Sequence, residues 1–152
     1  EKKDYLESNI NAITKGSYFK VGLNYNAYLN WAGMTNEIFT GLRYGFSSFS
    51  QELLGYDIYS TNQSFPPTFV SQNIEYTNLN AHWAEFIIGV KTEVLNNVYV
   101  SLNLQLKRKL SEVVPENFDN LYIPGFNRTY DFSQWGVGYG YNLTYLLPLI
   151  KK

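Results

Sequence analysis

A hydrolytic site in this chain would have to be built from histidine and serine, and both are awkwardly placed. His82 is the only histidine among 152 residues. A general base needs a nucleophile and an orienting carboxylate within hydrogen-bond reach. Glu85 lies three residues on, so on a strand the two side chains point to opposite faces. One serine of the run Ser47–Ser50 could approach His82 from a neighbouring strand, which is the sole triad-like arrangement available. The plainer reading of His82 beside Trp83 is an interfacial anchor. One histidine and no cysteine offer poor material for a zinc site. The carboxylates Glu112, Glu116, Asp119 and Asp131 lack the spacing of an EF-hand loop. No catalytic, cofactor-binding or metal-ligating residue is therefore assigned, and the chain is read as non-enzymatic.

A second group of side chains carries charge on the polar side of otherwise apolar segments. These are Lys20, Arg43, Lys91 and Lys107, with Glu85 and Glu93. Buried charges are costly unless paired, so an ion-pair network inside a barrel is the expectation. Four cations against two carboxylates leave a surplus of two, which predicts inward Asp or Glu on further strands. A narrow cation-lined conduit for anions is the alternative.

The elements that would position these groups read as strands. Apolar and polar residues alternate with a period of two over residues 17–29, 37–48, 83–94, 98–107 and 135–149. In the first, Phe19, Val21, Leu23, Tyr25, Ala27 and Leu29 oppose Tyr18, Lys20, Gly22, Asn24 and Asn26. The connections alternate between short and long. Asn96-Asn97 is a two-residue turn of the kind that tolerates positive φ, and residues 30–36 form another brief link. Residues 50–80 and 111–134 are long, and residues 1–16 look like a third long connection. No break in composition divides the chain, which reads as one domain over 1–152.

Alternation alone also fits a soluble sandwich. Three features favour lipid. The apolar faces run about 10–13 residues, the length of a tilted membrane strand. The polar faces carry Gly22, Gly41, Gly45, Gly89, Gly136, Gly138 and Gly140, which would weaken a solvent-facing strand but suit a crowded barrel interior. Aromatics gather toward the ends of the apolar faces, with Phe19, Phe46, Phe86 and Trp135 at one end and Tyr25 and Tyr145 at the other, as in interfacial girdles. The fold class is therefore all-β, an antiparallel up-and-down transmembrane β-barrel in the bacterial outer membrane. Single-chain barrels have an even strand number and no open edge in lipid. Five strands are visible, so eight are expected in the intact protein, with about three preceding this sequence.

The glycine-rich strand GLRYGFSSFSQ (41–51) and the loop NFDNLYIPGFNRTYD (117–131) carry a family resemblance. The chain resembles an uncharacterised family of small outer-membrane β-barrels of Bacteroidota type, similar in shape to the eight-stranded barrels related to the OmpA membrane domain. The resemblance implies fold and location and transfers no catalytic residue. The aromatic residue common at the end of such barrels is absent, and LLPLIKK stands there.

The loops are where function is expected, because variable chemistry sits on rigid scaffolds there. Residues 51–79 should continue as a protruding hairpin carrying Tyr56, Ile58, Phe69 and Ile74 around Ser64-Phe65-Pro66-Pro67, with an edge able to add a partner's strand. Loop 117–131 offers Phe118, Tyr122, Ile123, Phe126, Arg128 and Tyr130. It forms either a partner surface, since Tyr and Arg are frequent at binding hot spots, or a self-packed lid. The expected function is an accessory subunit or surface interaction module. A lipid-modifying enzyme at the rim and a narrow anion-conducting barrel are the alternatives. Outer-membrane lipid and other outer-membrane proteins are the expected partners, with no cofactor. A net charge of −1 gives no electrostatic reason to expect nucleic acid.

Overall fold

The computed structural model describes residues 1–7, 10–27, 36–58, 68–116, 119–130 and 132–147. They form β1 (Lys2–Glu7), β2 (Ile10–Asn26), β3 (Glu37–Ile58), β4 (Thr68–Leu95), β5 (Val98–Glu112), β6 (Tyr122–Ile123), β7 (Asn127–Arg128) and β8 (Trp135–Tyr145). The first five and β8 make one six-stranded antiparallel sheet in the order β1-β2-β3-β4-β5-β8. The sheet curls into a half-barrel.

The period-two pattern decides which face is inside. Over residues 39–55 of β3, half-buried Arg43 apart, and 79–89 of β4, every second residue is buried, and Gly45, Ser47, Phe49 and Gln51 share the inner face with Trp83, Glu85 and Ile87. The intervening side chains are large, apolar and open: Leu42, Ile88, Leu104 and Tyr141 are all exposed, the last at 79%. Burial of an apolar side chain contributes about 1.5–3 kcal/mol, so this outer face holds a large unspent tendency to be covered.

Asn96 and Asn97 form the tight β4–β5 turn, with Asn97 at φ 64°. The Glu93 carboxylate accepts the Asn97 N–H at 2.8 Å. At the opposite end β3 and β4 remain paired out to Ile58↔Thr68. The expected hairpin is therefore present, although Ser64, Phe65, Pro66 and Pro67 lie outside the described residues. Bulges at Phe49/Gln51 and Leu53/Gly55 interrupt its ladder, and such bulges increase local twist.

The amino-terminal segment corrects the strand count. Residues 1–16 are not a long connection: β1 and the start of β2 pair from Lys2↔Lys15 to Glu7↔Ile10. Six strands rather than five make the sheet. Its polar Asn, Ser and Lys content resembles a loop. Ala12, Thr14 and Gly16 nevertheless continue the inner parity of Tyr18 and Lys20, and Ala12 and Thr14 are buried there.

Candidate functional site

The upper half of the inner face is filled by the connection between β5 and β8. β6 and β7 pair as a small hairpin, Tyr122↔Arg128 and Ile123↔Asn127. Gly125 turns between them at φ 79°, with the Tyr18 ring against its α-carbon. A β-carbon there would be strained by the backbone and would meet the ring at 2.6 Å. The turn drives Ile123 and Phe126 into a cluster with Phe49, Leu79, Ala81 and Trp83. Phe126 meets the Trp83 ring edge to face, centroids 5.9 Å apart. Trp83 itself lies over Gly45, its direct cross-strand partner, where a β-carbon would come within 2.2 Å of the indole. Trp83 is thus fully buried on the inner face. Its parity matches Glu85, and that alone assigns it inward.

Polar contacts hold the same loop from below and above. Lys107 donates to the carbonyls of Gly125 at 2.9 Å and Phe126 at 3.2 Å. The Gln51 carboxamide donates to the Asp119 carbonyl at 3.0 Å and accepts the Leu121 N–H at 3.2 Å. Asn120 donates to Glu112 at 3.1 Å and to the Val113 carbonyl at 2.9 Å. The Tyr122 hydroxyl donates to the Glu1 carboxylate. Burial first, then that bond, pushes the Tyr122 hydroxyl well above its ordinary value.

Beneath the loop sits the charge cluster. Glu85 is completely buried and accepts Lys20 at 2.9 Å, with Arg43 at 4.0 Å. Trp83 donates its indole N–H to the same carboxylate at 3.4 Å. Glu85 Oε1 has no hydrogen-bond donor among the described residues. The six expected interior charges therefore divide. Lys20, Arg43 and Glu85 come together, and Lys107 stands near them while bonding the loop backbone. Lys91 pairs instead with Glu37 at 3.4 Å, and Glu93 braces the Asn97 turn. Glu37 shares the parity of Arg43, so the alternation could have found it. Gln51 lies beyond the alternating stretch 37–48, so the pattern alone does not mark it.

The expected contact loop also divides. Tyr122, Ile123 and Phe126 are buried, as befits a self-packed lid, while Arg128 and Tyr130 are exposed. Phe118 lies outside the described residues. The Arg128 guanidinium sits 5.1 Å from the Tyr130 ring centroid, and Tyr130 contacts the open Phe132 ring. His82 is on the outer face, hydrogen-bonded to the Tyr44 hydroxyl and 4.8 Å from the Phe46 ring. Ser47 points the other way, buried, and donates to the Ser17 carbonyl at 3.3 Å. Glu85 is likewise on the inner face, so His82, Ser47 and Glu85 do not converge, while Ser48 and Ser50 share the outer face with His82.

No curated protein and no solved structure matches the chain. One family model matches it over residues 1–152. The chain belongs to the family defined by that domain, a domain of unknown function designated DUF6048.

Proposed function

We infer that this chain is most of a small outer-membrane β-barrel that works by contact rather than by catalysis. The outer apolar face supports a lipid environment: contiguous exposed apolar patches of this extent are rare on soluble monomers, and lipid would cover it. The strand directions support closure with an even count. β1 and β8 run antiparallel to one another through the four strands between them, so strands bridging their free edges must come in pairs. One further hairpin would give eight, replacing the five-plus-three reckoning. In that frame the Asn97 turn is periplasmic, and the β3–β4 hairpin and the inserted loop face outward from the cell.

The observation that carries the contact role is the upper edge of β4. The β4–β5 ladder begins at Ala81↔Glu112, so β4 runs on toward Thr68 beyond the end of β5. Such an edge can accept a partner's strand through main-chain hydrogen bonds, with alternate side chains giving specificity. The test replaces residues 54–73 with Asn-Gly, closing the hairpin where Leu53 pairs with Ile74. The shortened protein should still insert into the membrane but lose a partner that co-purifies stoichiometrically in mild detergent. Full retention of that partner would refute the hairpin as the contact surface.

A further inference from the structure

The outer face carries one row that differs from those around it. Tyr44, Ala84, Arg108 and Trp135 stand side by side on β3, β4, β5 and β8. Arg108 is exposed, with its guanidinium 5.5 Å from the Trp135 ring centroid, and it meets no carboxylate among the described residues. The next row down is wholly apolar: Leu42, Phe86, Leu106 and Val137. Below it, Ile88, Leu104 and Tyr139 and then Val90, Leu102 and Tyr141 frame a groove of about 530 Å³. A bare cation bordered by aromatics sits above a hydrocarbon-lined trough.

The spacing between the two fits a lipid. Leu104 and Leu102 are four and six residues from Arg108, or about 13 and 20 Å along the strand at ~3.3 Å per residue. Strand tilt shortens the vertical distance, bringing the groove within the ~15 Å hydrocarbon depth of one leaflet. Guanidinium groups bind phosphate oxygens through paired, charge-assisted hydrogen bonds, and Ala84 leaves room beside Arg108 for a headgroup. We propose that Arg108, flanked by Tyr44 and Trp135, binds the phosphate of an anionic membrane lipid whose acyl chain lies in the groove along β4, β5 and β8. This rests on the membrane reading above and adds a specific lipid site to it.

The test is native mass spectrometry of the full-length protein in detergent micelles, supplemented with dimyristoyl-phosphatidylglycerol or dimyristoyl-phosphatidylcholine. The wild-type protein should retain the anionic lipid in preference to the zwitterionic one. Arg108→Gln should lower anionic-lipid retention roughly tenfold, the scale expected for losing a charge-assisted contact. Arg108→Lys should keep part of it. Lys15→Gln, which removes an outer-face cation already paired with Glu52, should change nothing. No lipid preference in the wild type, or an unchanged preference in Arg108→Gln, would overturn the site. Failure of the protein to enter micelles at all would instead overturn the membrane reading beneath it.

Discussion

The two halves of the inner face solve the same packing problem differently. The upper half is closely packed: Trp83, Phe126, Ile123, Phe49 and Leu79 interlock, and buried Lys107, Gln51 and Asn120 bond the backbone of the inserted loop. Among the described residues no loop fills the lower half, where the Phe39 ring lies over Gly89 and Ile87 is buried. Beside them it relies on short amides and small residues: Gln105 donates to Asn103 at 2.9 Å, Asn142 to Ser101 at 3.3 Å, and Gly138 and Gly140 lie opposite them. A curled sheet can thus be specified at one end by an inserted loop and at the other by its own side chains. The glycines serve both ends for different reasons. Gly45 admits a ring that is already fixed, whereas Gly140 faces only the side-chain amides of Asn103 and Gln105.

That contrast can be broken by substitution. Phe126→Ala should give the largest effect, destabilising the folded protein by about 3–5 kcal/mol in denaturant titrations from detergent micelles, with the loop becoming sensitive to protease. Asn103→Ala, in the lower half, should stay within about 1 kcal/mol. Next in size, Gly45→Ala should cost about 1–3 kcal/mol because the indole cannot retreat without moving Phe126. Gly140→Ala should fall within about 0.5 kcal/mol, since the Asn103 and Gln105 amides beside it can rotate away. Comparable losses at Gly45 and Gly140 would erase the distinction between the two halves.

The smallest expected effect is a pH dependence at the loop. The folded state holds the Tyr122 proton more tightly than the unfolded chain, whose ordinary value is 10.0. The contribution is therefore fully present below that value and lost as pH rises above it. The stability difference between wild type and Tyr122→Phe should shrink between about pH 9 and about pH 11. A difference that grows over that range would contradict the burial of this hydroxyl.

Much of the sheet was legible because a strand writes its two faces into alternate residues. Leu102 against Asn103, or Val137 against Gly138, needs no tertiary information. The β1–β2 hairpin was harder, because Asn9, Asn11 and Lys15 read as turn chemistry and only the small residues Ala12, Thr14 and Gly16 mark the inner face. The inserted loop was not decidable from its own composition. Tyr122, Ile123 and Phe126 serve a partner surface or a lid equally well, and what selects the lid is remote: the gap above Gly45, the ring of Trp83 and the ammonium of Lys107. The same remoteness hid the role of Lys107, which looked like one more cation in a charge network and instead fastens two carbonyls.

The central claim is that the outer face meets lipid while the inner face does not, and its tryptophans can report on it. Trp135 is half exposed on the outer face and Trp83 is buried on the inner one. Two single-tryptophan variants, Trp31→Phe with Trp83→Phe and Trp31→Phe with Trp135→Phe, would be reconstituted into vesicles of brominated phosphatidylcholine. Strong bromine quenching of Trp135 fluorescence, with Trp83 emission largely preserved, is the result the account predicts. Equal quenching of the two, or quenching of neither, would contradict it.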